Sequence, residues 1–377
     1  MRKIMIIGAG DLGRRVCGEL AHRDRRWEVR LVGRTEDALQ RDVNLIRFSA
    51  LQQGCRSRVD YALTDLDDVA RTAEVIAEFA PDVVFLAASL QSWWVITTLP
   101  AERFQRLYAA NFGPWLPMHL VPVHKAMRAV RAAGSQAVVV NAAYPDVVHP
   151  VLATAGLAPH VGIGNVANNV PALRHSAGTI LGTDPADVDV RLVTHHYVSH
   201  RLSRTTDISP TQLRIAILAE GRDALPDIGL SRLLKPLTTE YRRTGGMAGQ
   251  AMTAASAMSV LVPLLEQREA VVHAPGPLGL PGGYPVAVGS GPVRLALPSG
   301  MTEQEAVDVN RSGQVEDGVR AIGDDGTVLF EESTMDVMRR ELGYDCTTMP
   351  LSEAEDRARE LGTRFARYRE NGSVGRV

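Results

Sequence analysis

Six residues near the start of this chain, Gly8-Ala9-Gly10-Asp11-Leu12-Gly13, have the spacing that holds a pyrophosphate. In such a turn the first glycine lets the backbone reverse, the second lets it approach an anion, and the third lets a helix pack closely on a strand. The turn's amides and the positive end of the following helix then supply the anion site. A second cluster lies mid-chain, where His195, His196 and His200 are joined by Arg201 and Arg204. Imidazole titrates near neutral pH, so His196 first and His195 second are candidates to give or take the proton that accompanies hydride transfer to a C=O or C=N group. Arg201 and Arg204, with His200 beside them, are candidates to hold an anionic part of a substrate. If a strand continues through the histidines, His195 and His196 face opposite sides, and only one of them reaches the reacting group. The competing reading is a surface turn of solvated histidines and arginines.

About twenty residues beyond a glycine turn of this kind, proteins that use NAD carry an acidic residue for the ribose hydroxyls. Here the segment reads Gly33-Arg34-Thr35. A guanidinium and a hydroxyl suit a 2'-phosphate, so NADP is favoured over NAD. The alternative is that Glu36 or Asp37 holds the ribose and Arg34 is solvated.

The elements that must position these groups follow from periodicity. Residues 3–7 read as a buried strand, 12–23 as a helix, 27–32 as a strand, 65–78 as a helix, and 83–88 and 137–141 as further strands. Alternating strands and helices define an α/β, doubly wound parallel sheet, with ligands expected at the carboxyl edge of its strands. Tyr144, Asp146 and His149 fall near that edge, where packing, cap and turn roles explain them equally well. Beyond residue 160 the pattern becomes α+β: helix over 165–181, strand over 188–193, an Ala/Met-rich helix over 247–265, a Gly/Pro-rich loop over 275–285, a strand over 293–297 and a helix over 351–369. The expected division is a Rossmann domain over 1–160 and a substrate domain over 161–377. The Ala/Met-rich helix reads either as a buried core helix or as a contact in a homo-oligomer.

With 45% hydrophobic and 22% charged residues among 377, the chain can bury a two-domain core. A net charge of -2 gives no basic field for nucleic acid or an anionic membrane, which leaves a small molecule as the expected partner. Three widely spaced cysteines, Cys17, Cys55 and Cys346, form neither a disulfide framework nor a metal-ligand pattern. No signal peptide and no stretch approaching a membrane span is evident, so the expected location is the cytoplasm.

The order of features resembles the lactate and malate dehydrogenase superfamily, which includes the NAD-dependent family 4 glycoside hydrolases. Asp82-Val83-Val84-Phe85-Leu86-Ala87-Ala88 looks like the strand before that family's mobile substrate loop, and Asn111 falls where the next helix carries an asparagine. Val139-Val140-Asn141 and Pro145-Asp146-Val147-Val148 look like the strand end and proline segment that border the nicotinamide. Val161-Gly162-Ile163-Gly164-Asn165 resembles the entry to the second domain, and Thr194-His195-His196 takes the place of the catalytic histidine. The resemblance implies that Ala87, Ala88, Asn111 and Asn141 line the cofactor. It also implies an α+β second domain of the lactate/malate dehydrogenase type.

Three departures stand beside it. The family's dehydrogenases carry an Asp that orients the histidine and an Arg that clamps the substrate carboxylate on the helix after the junction. This chain has Asn168-Asn169-Val170-Pro171-Ala172-Leu173-Arg174 there, with only Arg174 to substitute. The loop arginine is replaced by Trp93-Trp94, an apolar lid. The cysteine through which the glycosidases bind a metal is missing near Gly164, so no metal is expected. The reading is an oxidoreductase, NADP favoured, acting on a small carbonyl/alcohol or imine/amine compound with an anionic group and an apolar portion. Alternatives are a redox-assisted lyase or glycosidase that retains its dinucleotide, and a non-catalytic dinucleotide sensor.

Overall fold

The structure is a computed structural model that describes residues 1–23 and 27–370. Its centre is strand β1 (Arg2–Ile7), whose Ile4, Met5 and Ile6 are fully buried. An uninterrupted apolar run suits a strand covered on both faces. β1 pairs in parallel with β2 (Trp27–Gly33) on one side and β4 (Val83–Leu86) on the other. β3 (Arg58–Leu63), β5 (Val138–Asn141) and β6 (Val161–Gly162) complete a parallel sheet in the order β3-β2-β1-β4-β5-β6. The order reverses between β1 and β4, which opens a crevice at their carboxyl ends where such sheets bind ligands.

Helices α1 (Asp11–Ala21) and α2 (Glu36–Gln52) cover one face of this sheet. Helices α3 (Val69–Phe79) and α5 (Leu116–Ala132) cover the other, with α4 (Ala101–Tyr108) leading into α5 and α6 (Pro145–Ala153) following β5. The helix Gln250–Glu266 packs on α1 and buries Ala254, Ala257, Met258 and Leu261, so its composition is that of a core helix. By length and composition alone Gly246–Glu266 is long and apolar enough to cross a membrane, and 61% of its apolar window is buried against protein.

Beyond β6 the strands are antiparallel. Asp189–Val193 pairs with Arg214–Ala219, and Ala270–Pro275 with Gly283–Val288. The second pair takes in the two ends of the loop expected over 275–285, and residues 276–282 remain outside the strands. Gly276 N–H donates to Gly282 O at 2.7 Å and Pro275 stands opposite Gly283, so the Gly/Pro-rich stretch is the tight end of a hairpin and the start of its return strand. Past residue 318 the chain returns to the first domain. Helix Ala354–Glu370 lies on α5, and Tyr344, Leu361 and Phe365 share one apolar core with Leu116, Leu120 and Val123. The segment beyond residue 318 thus shares a core with elements that precede residue 160.

Candidate active site

At the carboxyl end of β1 the glycine turn has the shape its spacing implied. Gly8 has φ of +116°, and a Cβ there would stand 2.6 Å from the backbone nitrogen of Ala88, at the end of β4. At Gly13 a Cβ would stand 1.9 Å from Gly8 O, so α1 can approach the strand only through a glycine. Gly10 differs: a Cβ there would meet nothing within 4 Å, because the position opens onto the crevice. Gly10 is also the N-cap of α1 and supplies no side-chain cap, which leaves the first-turn amides of Asp11, Leu12 and Gly13 for an anion. Asp11 is engaged by Arg15 Nε at 2.9 Å and Leu12 packs inward.

Gly33 ends β2 against Ala9 of the turn. Arg34 is exposed, with one loose ion pair to Asp65 at 3.9 Å, and Thr35 is exposed with no cap bond. Exposed pairs of this kind are weak and readily exchanged for a better anion. The turn, the bare helix end and the exposed guanidinium fit a dinucleotide. Among the described residues no group of three or more His, Cys, Asp or Glu is placed to hold a metal.

The histidine cluster lies beyond the ends of β5 and Asp189–Val193. The strand stops at Val193, His195 becomes the N-cap of a short helix, His196–Arg201, and the two rings stand nearly perpendicular at 86°. His195 is fully buried, with its Nδ1 accepting from Tyr197 N and its Nε2 without a partner. His196 is the ring that remains partly exposed, at 17%. Its Nδ1 donates to Asp317 Oδ2 at 2.8 Å, and the same oxygen receives the Tyr144 hydroxyl at 2.8 Å. Its backbone N–H donates to Asp146 Oδ1 at 2.9 Å, while Asn165 Nδ2 donates to the other Asp146 oxygen. Phe112 packs beside the ring, 5.1 Å between centroids.

Burial by itself would raise the Asp317 carboxyl, but the charge and hydrogen bond of His196, with His195 and Tyr144 beside them, hold it at about 2. Burial opposes the His196 imidazolium, and the Asp317 charge and hydrogen bond outweigh burial and raise its pKa. Burial lowers the pKa of His195. His196 is thus an imidazole oriented through Nδ1, with an Nε2 that makes no hydrogen bond among the described residues. That is the arrangement of a general acid or base.

Asp317 was not legible in the sequence. It follows helix Glu303–Glu316, where a lone Asp before Gly318 looks like an ordinary helix end. The orienting carboxylate missing from the helix Val170–Leu181 is supplied from this other element. Asn141 is buried and consumed by its own turn: Oδ1 accepts from Ala143 N at 2.9 Å, and Nδ2 donates to Ala143 O and approaches His149 Nε2, each at 3.1 Å. Asn111 Nδ2 donates to Glu316 O at 2.8 Å and ties the start of α5 to the segment that carries Asp317. Ala87 and Ala88 continue β4 past the glycine turn.

Trp93 and Trp94 begin a 3-10 turn, Trp93–Thr98, that lies against Gly246–Gly249, and Trp94 Nε1 is buried without a partner. Arg174 makes no bond to the histidine pair. Its Nε is buried without a partner and its charge acts on His273, whose pKa burial and that charge lower to about 3. His200 stacks on His196 at 5.8 Å and 15°, and Arg204 Nη1 lies 2.7 Å from its Nε2. Arg201 lies over Tyr197 with its Nε buried and unpartnered. Arg243, which the sequence reading passed over, donates to Asn169 Oδ1 at 3.1 Å and to Asn168 O.

No protein-family model matches the chain, and no curated protein does. Solved structures do. The lactate dehydrogenase of Cryptosporidium parvum, solved with lactic acid and nicotinamide adenine dinucleotide, superposes with a TM-score of 0.58 at 19% identity, over 84% of this chain and 98% of that one. The malate dehydrogenase of Plasmodium falciparum gives 0.55 at 13% identity, over 90% and 100%. That of Aeropyrum pernix gives 0.55 at 15%, over 82% and 95%. The chain has the fold of the lactate and malate dehydrogenases, across nearly the full length of those proteins.

Proposed function

We propose that the protein is an NAD(P)-dependent oxidoreductase, with NADP preferred, that interconverts a small carbonyl and alcohol or imine and amine. The observation that carries this is the Asp317–His196 pair, tied through Tyr144 and Asp146 to the segment that follows β5, which stands two strands from β1 and its glycine turn in the sheet. The dinucleotide, when bound, supplies or accepts the hydride. Gly8, Gly10 and Gly13 let the backbone approach its pyrophosphate, and Arg34 with Thr35 receives the 2'-phosphate. In reduction, protonated His196 gives its Nε2 proton to the developing oxyanion or nitrogen anion while its Nδ1 proton stays on the ring, hydrogen-bonded to Asp317. In oxidation, neutral His196 takes that proton back. Trp93 and Trp94 form the apolar side of the substrate space and limit water there.

Gly10→Ala tests the cofactor half directly. A methyl at that position touches nothing in the free protein, so thermal stability is expected to stay the same while dinucleotide affinity falls at least about tenfold, or 1.4 kcal/mol. Unchanged affinity removes the turn from the binding site. Turnover over a panel of carbonyl, alcohol and imine compounds, read as a net change in nicotinamide absorbance, tests the reaction. Turnover without net absorbance change identifies the internal-redox alternative, and dinucleotide binding without any turnover identifies a sensor.

A further inference from the structure

The hairpin end over 276–282 and the first turn of α6 are locked into one another. Tyr144 enters α6 in the left-handed region, at φ of +44°, and Pro145 takes the first helical position, where no N–H is needed. A Cβ at Gly162 of β6 would stand 2.4 Å from Pro145 Cβ, and one at Gly276 would stand 2.6 Å from Pro145 O, so the turn seats only because both are glycines. His149 Nδ1 donates to Gly276 O at 2.6 Å, and Gly282 N–H donates to Asp146 O at 3.1 Å. The backbone of Asp146 is thereby fixed against β6 and against the hairpin.

Its carboxylate is fully buried and reaches two further segments. Oδ1 accepts the His196 backbone N–H at 2.9 Å, and Oδ2 accepts from Asn165 Nδ2. That N–H opens the helix His196–Arg201 and has no partner within it, while the next, of Tyr197, is taken by His195 Nδ1 at 3.3 Å. Both side-chain partners of Asp146 are neutral, so its charge is felt by its neighbours across the buried site. Burial opposes the His196 imidazolium, and after Asp317 the Asp146 charge is the next group that favours it. The other titratable groups facing the ring are His119, Tyr144, His195, His200 and Arg204. Burial holds the three histidines low, and the charge of Arg204 opposes the imidazolium.

We propose that Asp146 is a second positioning residue for His196: it holds the backbone of that residue as Asp317 holds its ring, and the Gly/Pro-rich hairpin end is the brace that keeps it in place. A carboxylate seated by backbone contacts on two sides can hold a reacting group to the tolerance that proton transfer needs. The inference rests on the reading of His196 as the acid/base.

The test is an NMR pH titration of the His196 ring in full-length protein without ligand, with His196→Gln assigning the resonance. Asp146→Asn keeps an oxygen for the His196 N–H, and its amide can pair with Asn165 once that side chain turns over, so the change removes the charge alone. It is expected to lower the midpoint by about half a pH unit or more. Asn165→Gly suits the backbone there, at φ of +48°, and leaves the charge in place, so its midpoint should lie at or above that of the wild type. In the wild type the His196 amide should exchange with deuterium at least about a hundredfold more slowly than an exposed amide, a readout that stands even if Asp146→Asn does not fold. The proposal is overturned if Asp146→Asn leaves the midpoint in place, if both variants lower it alike, or if the wild-type amide exchanges as an exposed one does. None of these measurements needs a substrate. Failure to turn over any carbonyl or imine compound removes the oxidoreductase reading and leaves the result on Asp146 standing.

Discussion

Replacing Asp317 with Asn keeps the shape of the side chain and removes its charge, which isolates what that charge does to His196. In the wild type one carboxylate oxygen receives both the His196 Nδ1 proton and the Tyr144 hydroxyl at 2.8 Å, in a site where Asp317 is 2% exposed. A hydrogen bond to a charged partner contributes about 1.5–3 kcal/mol. At about 1.4 kcal/mol per pH unit, losing it is expected to lower the His196 midpoint by about one to two pH units. His196 would then keep only the Asp146 charge in favour of its imidazolium, against burial and the charge of Arg204. The assay is an NMR pH titration of the imidazole nitrogens, with His196→Gln assigning the resonance. Tyr144→Phe supplies a control of opposite sign. It takes one donor from Asp317, makes the carboxylate a stronger partner for the imidazolium and raises the midpoint. A midpoint that stays put in Asp317→Asn, or that moves the same way in both variants, refutes the account of His196 as a charge-supported acid.

Other consequences are open to simpler measurements. Because Asp317 titrates at about 2 when folded against an ordinary 3.8, its contribution is complete above that value and is lost as pH falls toward 2. The stability gap between wild type and Asp317→Asn in chemical denaturation should therefore shrink as pH falls from about 4 toward 2, and shrink again as pH rises through the His196 midpoint, where the ion pair is lost. His196 is raised, so its ion pair stabilises fully below the ordinary imidazole range and is lost as pH rises through the raised value. Carbonyl reduction should decline over that rise and alcohol oxidation should increase, which initial rates in the two directions will show. Gly8→Ala places a methyl 2.6 Å from a backbone nitrogen at φ of +116°, and should lower stability by about 1–3 kcal/mol in thermal unfolding, unlike Gly10→Ala. Arg34→Ala should weaken NADP about tenfold or more and leave NAD within about twofold, by fluorescence titration.

The parts of this protein that were legible in the sequence are those built from near neighbours. The spacing of Gly8, Gly10 and Gly13 is local, and so is the apolar run of β1. The order of elements sufficed for the fold. What escaped was assembled from distance. Asp317 meets His196 across 121 residues, and Tyr144 meets Asp317 across 173, with no local pattern to mark either pair. Arg243 joins Asn169 across 74 residues in the same way. The hairpin at residue 275 was hidden for a different reason: glycine and proline are read as loop formers, yet here they make the tight reversal that lets Ala270–Pro275 and Gly283–Val288 pair. Asn141 ends β5, and its amide bonds to Ala143 and His149.

The return of the last fifty residues to α5 bears on how this chain can be divided. Trp115, Leu116 and Leu120 are closed over by Tyr344, Leu361 and Phe365, with the Trp115 and Phe365 rings edge to face at 5.2 Å. A fragment cut after β6 would present that surface to water, so the parallel-sheet half is not a portable module. Asp317 stands at the hinge between the helix before it and the strand Val319–Ile322 that begins the return. A circular permutation opened there would separate the proton-handling pair while leaving each half of the sheet arrangement intact, whereas one opened in the exposed turn around Gly221 would preserve both.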